Sequence, residues 1–199
     1  MTDGGSPNDP VRLAKARWRA RLLAVRGDLS AADLADAAAA LTAAVLRADA
    51  LRGARRVAAY VPVGPEPGSV ALLDALAGRG IAVLLPVALP DRSLDWAWYD
   101  GTLAPARYGL REPAGPRLGA VALAGVDAVL APGLAVDRRG IRLGRGAGYY
   151  DRALAAVTGI PVAVLLHDGE LVDDELPAEP HDRSVTAVVT PLLGWVDVS

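Results

Sequence analysis

The residues best suited to chemistry lie in one stretch, Pro132 to Leu154, which reads PGLAVDRRGIRLGRGAGYYDRAL. Glycines allow a backbone to approach a ligand closely, and arginines supply a fixed charge with forked donors that suit phosphate. The apolar run before this stretch predicts a buried strand, and the spacing of Tyr150, Leu154 and Val157 predicts a helix after it. Backbone N–H groups at the start of a helix attract anions. The stretch is therefore predicted to be a loop that binds a phosphate or a nucleotide.

Two interpretations of this loop remain open from the residues alone. Its glycine spacing is not that of the dinucleotide-binding fingerprint, and no Gly-Lys-Ser/Thr follows, as a Walker A loop requires. A glycine-rich segment can also be only a surface loop. Arg142 and Arg145 favour the binding interpretation because they add positive charge beside the glycines. Asp151, in the first turn of the predicted helix, could cap that helix or hold a magnesium ion.

Composition limits the class of protein. At 199 residues the chain is long enough for one domain with a sizeable core. We expect residues 10–199 to form that domain and residues 1–9 to be a disordered tail. A net charge of −2 argues against general nucleic-acid binding, and the lack of cysteine excludes disulfides and thiolate metal sites. No stretch reaches the roughly 20 apolar residues of a membrane span. The chain is therefore expected to be cytoplasmic, with no membrane partner.

Strand and helix patterns alternate along most of the chain, which predicts an α/β class with a largely parallel sheet. Residues 10–26 have the spacing of an amphipathic helix, and they place Lys15 and Arg19 on one face. Lys15 is the only lysine beside twenty arginines. The basic face could be a solvated surface or a binding face. Ser30 and Asp33 form a capping-box pattern that predicts the start of a second helix.

Several loops follow predicted strands. Residues 57–61 predict a strand, and Glu66 lies in the loop after it, at the edge where open α/β sheets bind ligands. Glu66 could equally be an ordinary loop carboxylate. The long segment 101–119 contains a polar cluster at 108–113, and loops of this length are often functional. The acidic segment 167–175 is expected to be a surface loop, and His181 is expected to be a loop residue rather than a catalytic base.

Several segments together resemble one family, the 5-formyltetrahydrofolate cyclo-ligases, also called 5,10-methenyltetrahydrofolate synthetases. The family pattern PGxAFDxxGxRLGxGxGYYDRxL matches residues 132–154, with Val136 in the phenylalanine position. Weaker matches keep the same order over residues 11–191: Lys15 with Arg19, the segment from Tyr60 to Glu66, the segment from Gly109 to Pro113, and His181-Asp182. The resemblance implies a three-layer α/β/α Rossmann-like fold.

The resemblance also implies a reaction and a set of roles. Mg-ATP and 5-formyltetrahydrofolate would be the substrates, the formyl oxygen would attack the γ-phosphate, and N10 would then close the ring. ATP contacts would fall on Lys15, Arg19, Arg142, Gly144, Arg145, Gly146, Ala147, Gly148, Tyr149 and Tyr150. Folate contacts would fall on Val61, Glu66, Arg145, Gly148 and Tyr149, catalytic roles on Arg142, Arg145 and Tyr149, and Mg²⁺ ligation on Asp151 and Asp182. We expect a monomer, although no motif in the sequence indicates the oligomeric state.

The chain departs from the family pattern at a few positions, and other functions remain as alternatives. Ala147 stands where some members have lysine and others glycine, and Val136 replaces an aromatic ring. A fold does not determine a function, so one alternative is an α/β enzyme that acts on a sugar phosphate. The other is a non-catalytic relative that binds a folate or a nucleotide. Phosphoryl transfer depends mainly on positioning and charge neutralisation, which agrees with a site rich in arginine.

Overall fold

A computed structural model describes residues 9–179 and 182–198. Within these residues the α-helices are α1 (Pro10–Gly27), α2 (Ala31–Arg47), α3 (Val70–Gly78) and α4 (Tyr149–Leu154). The predictions for His181 and for the tail before Asp9 lie outside the described residues. Asp9 itself is the N-cap of α1, and its carboxylate accepts a hydrogen bond of 3.1 Å from Val11 N.

The local sequence explains where the long helices begin. Pro10 opens α1, at a position where its missing N–H costs nothing. The predicted capping box of α2 is confirmed: Ser30 Oγ accepts from Asp33 N at 3.2 Å, and the Asp33 carboxylate accepts from Ser30 N at 2.9 Å. Ser69 caps α3 through a 3.2 Å hydrogen bond from Leu72 N.

The strands form one large sheet and two small ones. They are β1 (Arg56–Ala58), β2 (Ala82–Ala88), β3 (Leu94–Trp98), β4 (Leu103–Pro105), β5 (Arg111–Pro113), β6 (Ala128–Pro132), β7 (Ala135–Asp137), β8 (Arg142–Leu143), β9 (Val162–Leu165), β10 (Leu171–Val172), β11 (Ala187–Thr190) and β12 (Gly194–Asp197). The large sheet has the order β12-β11-β9-β6-β1-β2-β3. Its central strands pair in parallel, and the edge strands β12 and β3 pair antiparallel. The predicted α/β class with a largely parallel sheet is confirmed.

Both faces of the large sheet are covered. On one face, Leu41 of α2 and Leu72 of α3 pack in a cluster with Val57. On the other face, Leu154 of α4 packs with Ala58. Val57 and Ala58 are consecutive, so their side chains point to opposite faces of the strand. The expected three-layer arrangement is present. The helical layer on the face opposite α2 and α3 is thin and consists of α4 and a 3₁₀ turn at Ala120–Gly125.

Helix α1 packs on a small sheet instead of on the large one. That sheet has the order β10-β7-β8. Leu22 of α1 is buried against Leu134, Ala135 and Leu143 from the segment around β7 and β8. The strands β7 and β8 both lie within the glycine-rich stretch, which the sequence predicted to be an unbroken loop.

Some predicted boundaries were wrong. The first strand ends at Ala58 instead of residue 61, although Tyr60 remains buried. The segment 101–119 contains the β4–β5 hairpin. Strand β12 was not predicted, because its residues 194–197 lack an apolar run. In the described residues no single helix is long and apolar enough to cross a membrane. Taken together, α1 and α2 reach the necessary length and apolar composition, but the chain bends by 105° between them.

Candidate active site

A cleft with a volume of about 520 Å³ lies where the central strands end. The segments after β1 and β6, the end of β2 and the β5 hairpin contribute to its walls. The glycine-rich loop at residues 144–148 and the first residues of α4 form one side. The carboxyl edge of a parallel sheet is the usual location of ligand sites in open α/β folds, and the volume suits one drug-sized ligand.

The cleft brings together most of the residues selected from the sequence. Its walls include Val61, Glu66, Arg142, Gly144, Arg145, Gly146, Ala147, Gly148, Tyr149, Tyr150 and Asp151. Lys15, Arg19 and Asp182 do not line this cavity and lie beside the loop instead. The structure therefore places most of these residues around one cavity, whereas their assignment to a site and the roles given to them stay predictions.

Arg142 is the buried cation at the base of the cleft. Its Nη1 donates to the carbonyl of Pro132 at 3.1 Å, and its Nη2 donates to the carboxylate of Asp151. In the described part of the chain no acceptor lies within hydrogen-bonding distance of its Nε, which is buried. An unpaired buried donor in a native structure needs an explanation, such as a bound water or ligand.

Two glycines make room for the Arg142 side chain. A Cβ atom on Gly144 would lie 2.8 Å from Arg142 Nη1, and a Cβ atom on Gly133 would lie 2.7 Å from Val164 Cγ1 and 3.4 Å from Arg142 Cγ. These separations are shorter than van der Waals contact. The glycines are therefore needed for close approach to this guanidinium as well as for a flexible backbone.

Arg145 and Glu66 form an ion pair across the cleft. Arg145 Nη1 donates to Glu66 Oε1 at 3.0 Å, and Val63 N donates to Glu66 Oε2, also at 3.0 Å. The guanidinium is half exposed, whereas the carboxylate is mostly buried. A pair with one solvated partner is weak and can be exchanged at low cost. Glu66 therefore has a fixed position, and Arg145 can leave it for a ligand.

Three tyrosines lie in the cleft: Tyr60 is buried, and the hydroxyl of Tyr150 is buried although its side chain is partly exposed. Burial raises the pKa of Tyr60 and of Tyr150, so both phenols remain protonated at neutral pH. Tyr60 donates to the carbonyl of Pro67 at 2.5 Å and closes the loop that carries Glu66. Among the described residues the Tyr150 hydroxyl finds no partner, and its ring lies 5.9 Å from the Arg142 guanidinium carbon. Tyr149 is partly exposed at the cleft wall.

The basic face of α1 contacts the glycine-rich loop from outside the cleft. Arg19 Nε donates to the carbonyl of Gly144 at 2.9 Å. Lys15 is buried and donates to the carboxylates of Glu179 at 2.6 Å and Asp182 at 2.7 Å. The alternative of a purely solvated face is therefore wrong for these two residues.

A buried network behind the cleft was missed by the sequence analysis. Arg26 forms a fork with Glu170, at 2.7 and 2.8 Å, and donates to the carbonyl of Gly133 at 2.6 Å. His167 N donates to Glu170 at 2.7 Å, and His167 Nε2 lies 3.0 Å from the carbonyl of Pro65. The prediction that 167–175 is a surface loop was thus wrong for His167 and Glu170. The apolar strand just before His167 was the available signal that these residues could be internal.

Asp137 fixes the turn between β7 and β8. Its carboxylate accepts hydrogen bonds from Ile141 N at 2.9 Å, Leu176 N at 3.0 Å and Arg139 Nη2 at 2.8 Å. Burial by itself would raise the pKa of Asp137, but these hydrogen bonds outweigh it and leave the pKa below its ordinary value. The loop is therefore supported by an ionised carboxylate.

The described residues contain no group of three or more acidic, histidine or cysteine side chains arranged to hold a metal by themselves. Magnesium needs fewer protein ligands, since it keeps waters and is often bound through one or two carboxylates and the phosphates of a substrate. Asp151 fits that requirement because its partly exposed carboxylate lines the cleft. Asp182 lies in the cluster with Lys15.

The covered, mostly parallel sheet and the cleft at its carboxyl edge, which is lined by both apolar and charged side chains, define an α/β protein of the ligand-binding type. The sequence profile of the 5-formyltetrahydrofolate cyclo-ligase family matches residues 11–191. The chain is 53% identical over 165 residues to the Mycolicibacterium smegmatis 5-formyltetrahydrofolate cyclo-ligase, covering 75% of this chain and 84% of that protein. It is 32% identical over 149 residues to the Escherichia coli 5-formyltetrahydrofolate cyclo-ligase, covering 71% and 81%.

A solved structure agrees with these sequence matches. The NMR structure of Aquifex aeolicus 5,10-methenyltetrahydrofolate synthetase superimposes with a TM-score of 0.76 at 25% identity, covering 89% of this chain and 90% of that one. The chain belongs to the 5-formyltetrahydrofolate cyclo-ligase family, and it is an enzyme. The resemblance stated from the sequence is confirmed.

Proposed function

We propose that this chain converts 5-formyltetrahydrofolate to 5,10-methenyltetrahydrofolate in a reaction that requires ATP and Mg²⁺ and releases ADP and phosphate. Family membership supports the substrate and the product. The observation that carries the dependence on ATP is the cleft itself, in which the backbone of residues 144–148 lies beside the guanidinium groups of Arg142 and Arg145. Such groups bind phosphates and neutralise their charge.

ATP would lie on the side of the cleft formed by the glycine-rich loop. Arg142 lines this side of the cleft, and its buried Nε has no hydrogen-bond acceptor within the described residues, as a group would that is satisfied only when a ligand or a water is bound. Arg19 already contacts the loop at Gly144, and Lys15 lies one turn earlier on the same helix face, so both are suited to phosphate oxygens at the edge of the loop. When bound, Mg²⁺ would supply neutralisation of the phosphate charge.

Asp151 is the carboxylate that best suits the metal. It begins α4 at the wall of the cleft, and its partner Arg142 fixes its orientation. Asp182 remains a proposed second ligand. Its carboxylate accepts from Lys15, so Lys15 would have to release it in order to contact a phosphate.

The folate would occupy the side of the cleft formed by the segment after β1. Val61 provides an apolar surface, and the carboxylate of Glu66 accepts hydrogen bonds, as the N–H donors of a pterin ring require. Arg145 holds Glu66 through an exposed ion pair. If the folate takes over the carboxylate, Arg145 becomes available to the transferring phosphoryl group.

Ring closure then follows in two balanced steps. The formyl oxygen forms a bond to the γ-phosphorus while the bond from that phosphorus to the β,γ-bridging oxygen breaks, and ADP leaves. N10 next adds to the activated formyl carbon and loses its proton, the carbon–oxygen bond breaks, and phosphate departs with the former formyl oxygen. Arg142 and Arg145 stabilise the phosphoryl charge, and Tyr149 and Gly148 line the wall beside the reacting groups. No covalent bond to the protein is needed.

The test is the formation of the methenyl product, followed by its near-ultraviolet absorbance. The purified chain is mixed with 5-formyltetrahydrofolate and Mg-ATP, and separate controls omit ATP or replace Mg²⁺ with a chelator. We expect product only when both are present, with one ADP released per product. Product without ATP would refute the phosphoryl-transfer step. ADP release without the methenyl product would instead show a different acceptor, as the alternative of a sugar-phosphate enzyme requires.

A further inference from the structure

Arg111 lines the cleft from the β5 hairpin. It is the first residue of β5, and it lines the same cavity as Glu66 and Arg145. Three neighbouring strands of the large sheet contribute to the cleft: β6 leads into the glycine-rich stretch, the Glu66 loop follows β1, and the β5 hairpin packs on β2. Leu110, Arg111 and Glu112, from the polar cluster at 108–113 seen in the sequence, are therefore part of the cleft wall.

Arg111 differs from the other two arginines of the cleft in its surroundings. Arg142 is paired with Asp151, and Arg145 is paired with Glu66. In the part of the chain that the structure describes, Arg111 forms no ion pair, and its side chain is exposed. The carboxylate nearest in sequence, that of Glu112, lines the same cleft but forms its contacts with other groups.

The acidic neighbour of Arg111 is already engaged. Glu112 Oε1 accepts a 2.9 Å hydrogen bond from Ala88 N, which attaches the hairpin to β2. Glu112 Oε2 lies 3.8 Å from Arg117 Nη2. Glu112 is thus held by the backbone of β2 and by Arg117, and this arrangement leaves Arg111 available to an anion from outside the protein.

The cleft that Glu66 and Arg111 share is also lined by apolar side chains. Val61, Pro86, Ala88, Leu94 and Leu110 provide this surface. A folate has a matching order of groups, namely a hydrogen-bonding pterin, an apolar aromatic ring and a glutamate with two carboxylates. A cavity of about 520 Å³ holds one drug-sized ligand. The side chain of Arg111 is exposed, so it can hold the charged end of a folate where that end stays in contact with solvent.

We propose that Arg111 binds the glutamate carboxylate of the folate substrate and thereby makes the enzyme selective for folates that carry a glutamate tail. This proposal rests on the proposed function, because it assigns a position to one end of that substrate. A guanidinium pairs with a carboxylate in a forked geometry that a lysine could not provide. The competing possibility is that Arg111 contacts a phosphate of ATP, and the experiment separates the two.

The experiment compares Arg111→Gln with Arg107→Gln as a matched control. Arg107 is an exposed arginine of the same hairpin that does not line the cleft. Each protein is assayed with 5-formyltetrahydrofolate and with 5-formyltetrahydropteroate, which has the same rings but lacks glutamate. The KM for ATP is measured as well. Titration calorimetry of both compounds without ATP gives the binding affinities independently of turnover.

We expect Arg111→Gln to raise the KM for 5-formyltetrahydrofolate about 5- to 10-fold, since a partly exposed charged hydrogen bond is lost. Its kcat, its KM for ATP and its KM for the pteroate compound should match those of the control. The difference should shrink at high ionic strength, because exposed charges are screened.

Three results would overturn the assignment of Arg111. These are equal behaviour of the two variants, an equal loss with both folate compounds, or a raised KM for ATP alone. Failure of the proposed function has a different signature, in which the unmodified protein closes the ring of neither compound and binds neither. Ring closure of the pteroate compound by the unmodified protein keeps the proposed function intact whatever Arg111 does.

Discussion

Replacing Arg26 with methionine should destabilise this protein strongly, because the carboxylate of Glu170 would remain buried without its partner. The two side chains are 2% and 5% exposed, and the guanidinium also donates to the carbonyl of Gly133. Methionine is similar in length and has a similar helix propensity, so α1 should still form. The change therefore removes the charge and the hydrogen bonds while most of the packing remains.

The expected magnitude follows from the burial of the pair. Removal of one member of a buried ion pair typically costs about 3–5 kcal/mol, most of it from the unpaired charge that remains. For a chain of this size each kcal/mol lowers Tm by about 2–4 °C. We therefore expect Arg26→Met to lower Tm by roughly 6–20 °C.

A matched control is available on the surface. Arg52 pairs with Asp49 at 2.5 Å, but the two side chains are 82% and 84% exposed. Exposed pairs contribute about 0–1 kcal/mol, so Arg52→Met should barely change stability. Urea unfolding, monitored by tryptophan fluorescence and by far-ultraviolet circular dichroism, gives the free energy of unfolding for both variants.

A double variant sharpens the test. If Arg26→Met and Glu170→Met are combined, the unpaired charge is gone, and the loss should be smaller than the sum of the single losses by about 1–3 kcal/mol. The milder Glu170→Gln gives a second measurement if Arg26→Met fails to fold. A loss below 1 kcal/mol for Arg26→Met, equal to that of Arg52→Met, would refute the argument that burial makes this pair important.

Three further predictions concern the glycine-rich stretch and the Mg²⁺ ion proposed to bind beside it. Asp151→Asn should reduce kcat/KM for Mg-ATP at least tenfold, because the carboxylate that suits Mg²⁺ is lost, and it should also lower Tm, because the buried Arg142 guanidinium loses its charged partner; turnover equal to that of the unmodified protein would contradict the metal assignment. A Cβ atom on residue 144 would lie only 2.8 Å from Arg142 Nη1, so Gly144→Ala should displace the guanidinium and slow turnover about tenfold. Gly78→Ala is the control and should not slow turnover, because the space around Gly78 is open. Asp137 has a pKa lowered from 3.8, so its contribution to stability is complete above about pH 4 and is lost as the pH falls through the lowered pKa. Acid unfolding of Asp137→Asn should therefore lack this part of the pH dependence, and an unchanged pH profile would count against it.

The sequence predicted the parts of the site that depend on local pattern. Glycines, arginines and paired tyrosines within 132–154 identified the loop, and the position of Glu66 after a strand predicted its place at the sheet edge. The capping box at Ser30 was equally local, since both partners lie within four residues. Patterns of this kind are determined by neighbouring residues, so they can be read without the tertiary structure.

The parts that the sequence did not predict depend on partners far apart in the chain. Glu170 resembles its acidic neighbours in sequence, and only the approach of Arg26, 144 positions earlier, makes it a buried residue. The short strands β7 and β8 have only three and two residues, too few to show a period. The charge state of the cleft likewise follows from the pairing of Glu66 with Arg145, 79 positions apart.

The contacts of α1 have a consequence for synthesis of the chain. This helix is made first, yet Lys15 contacts Asp182, 167 positions later, and Arg19 contacts Gly144, 125 positions later. During translation, the apolar and basic faces of α1 therefore stay exposed until the residues that contact them have been synthesised. Contacts so distant in sequence slow folding, and unpaired surface exposed during that delay favours aggregation. Translation speed and chaperone supply should thus affect the yield of this protein more than the propensity of its individual helices does.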